Sequence, residues 1–190
     1  MSTLRQLLPT LRLWIAMTLV LGLVYPLTLV AVGRLMPGRA DGSMLQADGT
    51  VVGSALIAQP FDQPRYFWPR PSAGGYDMLA SGGSNLGPNN PDLVDAIRRR
   101  QAALAGADRA SVAALPADAV TASASGLDPD ISPAYAAAQV PRVAAARGIP
   151  TSRVQSVVDA HTAGRPLGFL GQPTVNVLEL NIALDRLTGS

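Results

Sequence analysis

From Leu13 to Gly33 the chain carries no charged residue. These 21 residues would extend about 31 Å as an α-helix, the thickness of a hydrocarbon core of about 30 Å. A cleaved signal peptide has a shorter apolar region, about 7–15 residues, followed by a small-residue cleavage site. This run is longer, holds Pro26 in its middle and ends at Gly33-Arg34 without such a site. It is therefore read as a retained transmembrane helix over 13–35. It follows a short cytoplasmic N-terminus at 1–12 and precedes a linker at 36–41 and one extracytoplasmic domain at 42–190. Pro26 predicts a kink, tolerated where a neighbouring helix or a side chain such as Thr28 meets the freed carbonyl. Gly22 and Gly33 leave room for close helix contact.

Charge fixes the orientation only slightly. Arg5, Arg12 and the terminal amine precede the span, and Arg34 and Arg39 follow it. The small excess on the first side favours an inward N-terminus and an outward domain. All 15 basic residues are arginine, and three of them lie before Leu35. The other 12 face all 13 acids, so the domain is near neutral and lacks the basic face that nucleic-acid binding needs. With no cysteine, one histidine and no lysine, the chain has no thiolate or multi-histidine metal site and no lysine of a phosphate-binding loop.

The domain reads as α+β. Thr50–Ala58 predicts a buried strand with a bulge at Gly53. Pro91–Leu104 predicts a helix capped by Asn90, and Ser132-Pro133 opens a second. Pro141 should break or kink that helix, and Gly148-Ile149-Pro150 ends it. Thr151 is expected to cap a third, with Val154, Val157, Val158 and His161 on one face. Thr174–Leu187 is read as a fourth, with Val175, Leu178 and Ile182 inward. Ala105–Pro116 is alanine-rich and ambiguous.

Two long polar segments, 81–91 and 121–133, are rich in glycine and proline, where ordinary connections run about 4–6 residues. Ser81-Gly82-Gly83-Ser84-Asn85 through Gly87 offers amide groups for a small anion, without the pattern of a nucleotide loop. Asp128, Asp130 and Ser132 resemble the opening of a calcium loop, but Pro133 stands where its glycine belongs and no glutamate closes it, so no metal site is assigned. A serine hydrolase would need His161 as its base, and no G-x-S-x-G elbow is present. No catalytic residue is assigned. Asn176 and Asn181 lie in an apolar helix, where an amide is costly unless paired. With Gln139 and Arg142 they are read as hydrogen-bonding partners that join the loops. Tyr66, Phe67, Trp68 and Arg70 form an aromatic–arginine cluster that would serve either as a partner surface or as part of the domain core.

The stretches Gly53–Gln59 with Phe61, Tyr66–Ala73, Ser81–Pro88 with Asn90-Pro91, Asp118–Pro129 with Ile131–Pro133, Gln139 with Arg142–Ala144, and Val175–Asn181 carry a resemblance. In this order, after a single span, they resemble KdpC, the C subunit of the bacterial Kdp potassium-transporting P-type ATPase. Pro141 departs from the pattern. The resemblance implies a non-catalytic subunit of the inner membrane with a periplasmic domain. Its partners would be a channel-like potassium-conducting subunit, an ATP-hydrolysing P-type subunit and a very small peptide subunit. It also implies a role in assembly and as a catalytic chaperone that raises ATP affinity, sometimes by binding nucleotide. ATP comes with the resemblance alone, the only residues offered for it being Ser81–Asn85 and Gln139. An outward domain would not meet cytoplasmic ATP. The readings that stand beside it are a membrane-anchored hydrolase and a small-anion-binding module.

Overall fold

Pro26 has no amide hydrogen, and its ring would strike the carbonyl of Gly22 in a regular α-helix. The chain relieves this with a π-turn at Val20–Val24, between α1 (Thr3–Leu19) and α2 (Tyr25–Arg34). The Tyr25 amide donates five residues back, to Val20. Thr28 Oγ1 donates to the Val24 carbonyl at 2.7 Å, so its hydroxyl serves Val24 and not the Gly22 carbonyl that proline frees. In this computed structural model, which describes residues 3–108 and 114–189, the helix over Arg5–Arg34 is long and apolar enough to cross a membrane. Its side chains are exposed throughout. The expected linker is largely one short helix, α3 (Pro37–Ala40), opened by Pro37 and ended by positive φ at Gly42 and Ser43.

The chain divides into two compact units after Ser43. The second opens on a hairpin of β1 (Met44–Ala47) and β2 (Thr50–Ser54). Its two-residue loop, Asp48-Gly49, has φ of 50° and 77°, the positive pair that the right-handed twist of a hairpin selects. The pairing slips between Leu45 and Gln46, leaving Val52 as the extra residue of a bulge beside Gly53. The strand expected to run buried to Ala58 ends at Ser54 and is largely exposed, because it pairs only with β1 at the surface. Gly53 makes room for its neighbours: a Cβ there would lie 2.9 Å from both Gln59 Oε1 and Leu178 Cδ2, so these side chains would have to shift.

Residues 55–90 form no regular element. Then follow α4 (Pro91–Asp108), α5 (Ala117–Val120), β3 (Asp130–Ile131), α6 (Pro133–Arg147), α7 (Thr151–Ala160), β4 (Thr162–Ala163), a 3-10 turn at Pro166–Gly168, β5 (Thr174–Asn176) and α8 (Val177–Thr188). Strands β3, β5 and β4 form an antiparallel sheet with β5 in the centre. Asn90 Oδ1 accepts from the Asp92 amide at 2.8 Å, and Ser132 Oγ accepts from the Tyr135 amide at 3.0 Å. Both caps stand where the sequence put them.

Three expectations need correction. Helix α6 continues through Pro141. Pro141 and Ala137, whose carbonyl the ring displaces, both lie on the exposed face, where water can take the freed oxygen. Helix α7 has Pro150 and not Thr151 at its cap, and the Pro150 carbonyl receives the Arg153 amide at 3.0 Å. Thr174–Asn176 are strand, with Asn176 capping α8 through a 3.1 Å bond from the Glu179 amide. Ala105–Pro116 is helical up to Asp108; 109–113 lie outside the described residues. The core gathers Ile131, Tyr135, Val143, Val175, Leu180 and Leu184 from β3, α6, β5 and α8, with Phe67 from the irregular segment.

Candidate functional site

Pro64, Pro69 and Pro71 lack the donors of a strand ladder, yet the backbone between them lies against the core. Its polar groups must still be bonded, and side chains of α6 and α8 bond them. Asn181 Oδ1 accepts from the Phe67 amide at 2.8 Å, and its Nδ2 donates to the Phe67 carbonyl at 3.0 Å. Gln139 repeats this on the next residue: Oε1 accepts from the Trp68 amide at 2.7 Å and Nε2 donates to the Trp68 carbonyl at 3.1 Å. Two amides thus replace a neighbouring strand.

Two arginines of α6 complete the series. Arg142 Nη1 donates to the carbonyls of Pro64 at 2.7 Å and Tyr66 at 2.9 Å. Arg147 Nε donates to the carbonyl of Arg65 at 2.7 Å. Five successive carbonyls, from Pro64 to Trp68, therefore each receive a side-chain donor from α6 or α8. The Arg142 guanidinium also lies 3.7 Å from the centre of the Trp68 ring, a cation–π contact. Arg147 pairs with Asp185 at 2.8 Å and bonds Thr188 Oγ1 at 3.1 Å.

Arg142 is only 8% exposed and its counter-ion, Asp108, 4%. Asp108 Oδ1 accepts from Arg142 Nε, and Oδ2 is buried without a partner among the described residues. Burial pushes the Asp108 carboxyl above its ordinary value of 3.8, with the bond from Arg142 opposing the shift.

The two polar loops meet backbone to backbone. The Gly82 amide donates to the Ser125 carbonyl at 2.8 Å, and Ser81 Oγ donates to the same oxygen at 3.0 Å. Gly126 has φ +68°, and a Cβ there would sit 2.8 Å from the Gly82 carbonyl oxygen. A Cβ on Gly83 would come within 3.0 Å of the Ala124 carbonyl. The Ser123 amide ties this pair of loops to the Pro71 carbonyl at 3.0 Å. The loops are thus joined directly and not, as the sequence suggested, through Asn176, Asn181 and Gln139. Asn176 instead donates to the Ala55 carbonyl at 2.8 Å and to Asp130 at 3.2 Å.

A family model described as "KdpC: K+-transporting ATPase, c chain" matches residues 7–186. The chain belongs to the KdpC family. It is 56% identical over 185 residues to the potassium-transporting ATPase KdpC subunit of Kineococcus radiotolerans, with 96% of this chain and 94% of that protein covered. The KdpC subunit of Sorangium cellulosum is 53% identical over 186 residues, covering 96% and 98%. That of Burkholderia vietnamiensis is 50% identical over 185 residues, covering 95% and 96%.

Within this KdpC fold the candidate residues separate. Phe67 is wholly buried, with its ring in the core, whereas Tyr66, Trp68 and Arg70 are half-buried and reach the surface. Arg70 pairs with Asp128 at 3.0 Å, so this first carboxylate of the calcium-like segment is spent on an ion pair. Gln139 is 0% exposed and both its amide atoms are bonded to Trp68. Ser81, Ser84 and Asn85 are exposed and Gly82 and Gly83 half-buried, with Asn85 at φ 52°. In the other unit, among the described residues no atom beyond its chain neighbours and its own helix backbone lies within 4 Å of where a Gly22 Cβ would stand. His161 Nδ1 lies 2.8 Å from the Val157 carbonyl, and among the described residues no serine bonds it. Sequence reasoning missed Asp108, Arg147 and Asp185. The available signal was a pair of arginines, five residues apart, in an alanine-rich helix that must bury one side.

Proposed function

We propose that this chain is the accessory, non-catalytic subunit of a potassium-transporting ATPase, anchored in the plasma membrane by its one span with its domain on the outer side. The observation that carries this reading is the series of five carbonyls from Pro64 to Trp68, each bonded by α6 or α8. Its polar groups are committed to holding one segment in shape, which suits a docking surface. The half-buried residues Tyr66, Trp68 and Arg70 form the proposed contact with the channel-like subunit, and Gly22 and Pro26 the proposed contact within the membrane. ATP hydrolysis and potassium conduction belong to the partner subunits on this reading. An effect on ATP affinity is exerted through the assembled complex.

The test is co-purification of the tagged full chain from potassium-starved cells in mild detergent. The expected result is elution with the larger membrane subunits of a potassium pump. Elution of a stable lone monomer would overturn the proposal.

A further inference from the structure

We propose that the tip of the β4–β5 connection, Leu167, Phe169 and Leu170, inserts into the surface of the lipid bilayer as a second, shallow membrane contact. This rests on the reading of Leu13–Gly33 as a membrane span. Leu167 is 80% exposed, Phe169 71% and Leu170 47%. Three large apolar side chains within four residues are costly to leave in water.

The tip is built to hold them there. Arg165 Nη2 donates to Gln172 Oε1 at 2.9 Å across its base. The Gly168 amide donates to the Arg165 carbonyl at 2.9 Å and the Leu170 amide to the Pro166 carbonyl at 3.0 Å. Leu167 is held at φ 55°, immediately before Gly168 at 81°, and Gly171 follows at 68°. A leucine in the left-handed region persists only where its surroundings over-determine it. The loop therefore presents its apolar groups outward under constraint and does not fold them back.

The occupant follows from the chain itself. From Gly164 to Pro173 the one charged residue is Arg165, with no acid. Aromatic and aliphatic groups at a tip with a basic residue at the base match a membrane interface: the ring and methyl groups enter below the headgroups while the guanidinium stays among the phosphates. A bilayer is also close along the chain: the second unit begins at Met44, ten residues after Arg34 at the end of the span.

The absence of cysteine permits single labels on the full chain. Phe169→Cys and, separately, Leu170→Cys would carry an environment-sensitive fluorophore, with the protein reconstituted in phosphatidylcholine–phosphatidylglycerol vesicles. Leu21→Cys in the span and Ser84→Cys on an exposed polar loop are the references. Loss of emission at 169 and 170 on adding brominated lipid, as at 21 and unlike 84, is expected. If 169 and 170 respond like 84, the proposal is overturned, and likewise if they are shielded only when partner subunits are present, since the tip then docks on protein. If 21 also responds like 84, the span reading fails and this contact falls with it.

Discussion

Asn181 holds Phe67 as a neighbouring strand would, accepting from its amide at 2.8 Å and donating to its carbonyl at 3.0 Å, with both residues almost wholly buried. Asn181→Leu fills similar space and leaves both backbone groups unsatisfied. Each of the two buried orphans costs about 1–3 kcal/mol, so the variant should lose about 2–6 kcal/mol of stability. Thermal unfolding of the full chain in detergent measures this. A loss within the roughly 0.5 kcal/mol expected of an ordinary surface change would show that the amide does not stand in for a strand.

Arg142 combines four roles: counter-ion to Asp108, donor to Pro64 and Tyr66, donor to Gln139 at 2.6 Å, and partner of the Trp68 ring. Removing one member of a buried ion pair costs about 3–5 kcal/mol, because the other charge is left in a poor solvent. Arg142→Met should show a loss of this size. Adding Asp108→Leu removes the stranded carboxylate and should recover part of it, but not the carbonyl bonds. Denaturant titrations of the single and double variants decide the matter, and a double variant no more stable than the single would mean the charge is not the issue.

The joint between the two polar loops can be tested at Gly126. A Cβ there meets the Gly82 carbonyl at 2.8 Å, while Gly148, at a similar φ of 65°, has open space around it. Left-handed strain alone costs an alanine roughly 1–2 kcal/mol. Gly148→Ala should cost about that, and Gly126→Ala clearly more, because backbone must also move. Limited proteolysis should then cut Gly126→Ala within 81–91 or 121–133. Equal costs for the two glycines would rule out a tight loop-to-loop contact.

Features governed by neighbours in sequence were legible. The span is a run without charge, and the caps at Asn90 and Ser132 are local side-chain chemistry beside a proline. Asp48-Gly49 was an equally local signal for a hairpin, but its strands are short and exposed, so their alternation carries little information. Thr174–Asn176 was misread as helix because its strand character comes from Asp130–Ile131 and Thr162–Ala163, which no window around 174 contains. Of the candidate site, the cost of burying Asn181 and Gln139 was visible, and with it the need for partners. Which backbone they would reach was not. That depends on how α6 and α8 pack against a segment more than 70 residues earlier, as the Gln139–Trp68 separation of 71 shows.

Burial raises the Tyr135 hydroxyl well above the ordinary tyrosine value of 10.0, with Asp108 the next contributor and Arg142 opposing. Tyr76 is raised in the same sense, by burial against the opposing charge of Arg100. Above 10.0 the unfolded chain releases these protons while the folded chain keeps them. The folded state then binds more protons, so its stability falls as pH rises. Tyr135→Phe should move alkaline unfolding to higher pH, with a smaller shift for Tyr76→Phe. Circular dichroism across an alkaline titration reads both, and identical midpoints for the parent and Tyr135→Phe would refute the assignment.

Gly22 separates a folding role from a docking role in the membrane unit. It lies in the π-turn, four residues before Pro26, and among the described residues a Cβ there would meet no atom within 4 Å beyond its chain neighbours and its own helix backbone. Gly22→Leu should therefore leave the isolated subunit folded, and replacing glycine inside a helix is itself favourable by about 0.5–1 kcal/mol. If the small residue marks a close helix approach, leucine would hold the partner helix away. The expected outcome is normal insertion and helicity with a sharply reduced yield of co-purified partner subunits, whereas Leu21→Ala, one position away, keeps the yield. Undiminished co-purification of Gly22→Leu would take the contact away from Gly22 and leave the π-turn as relief for Pro26 alone.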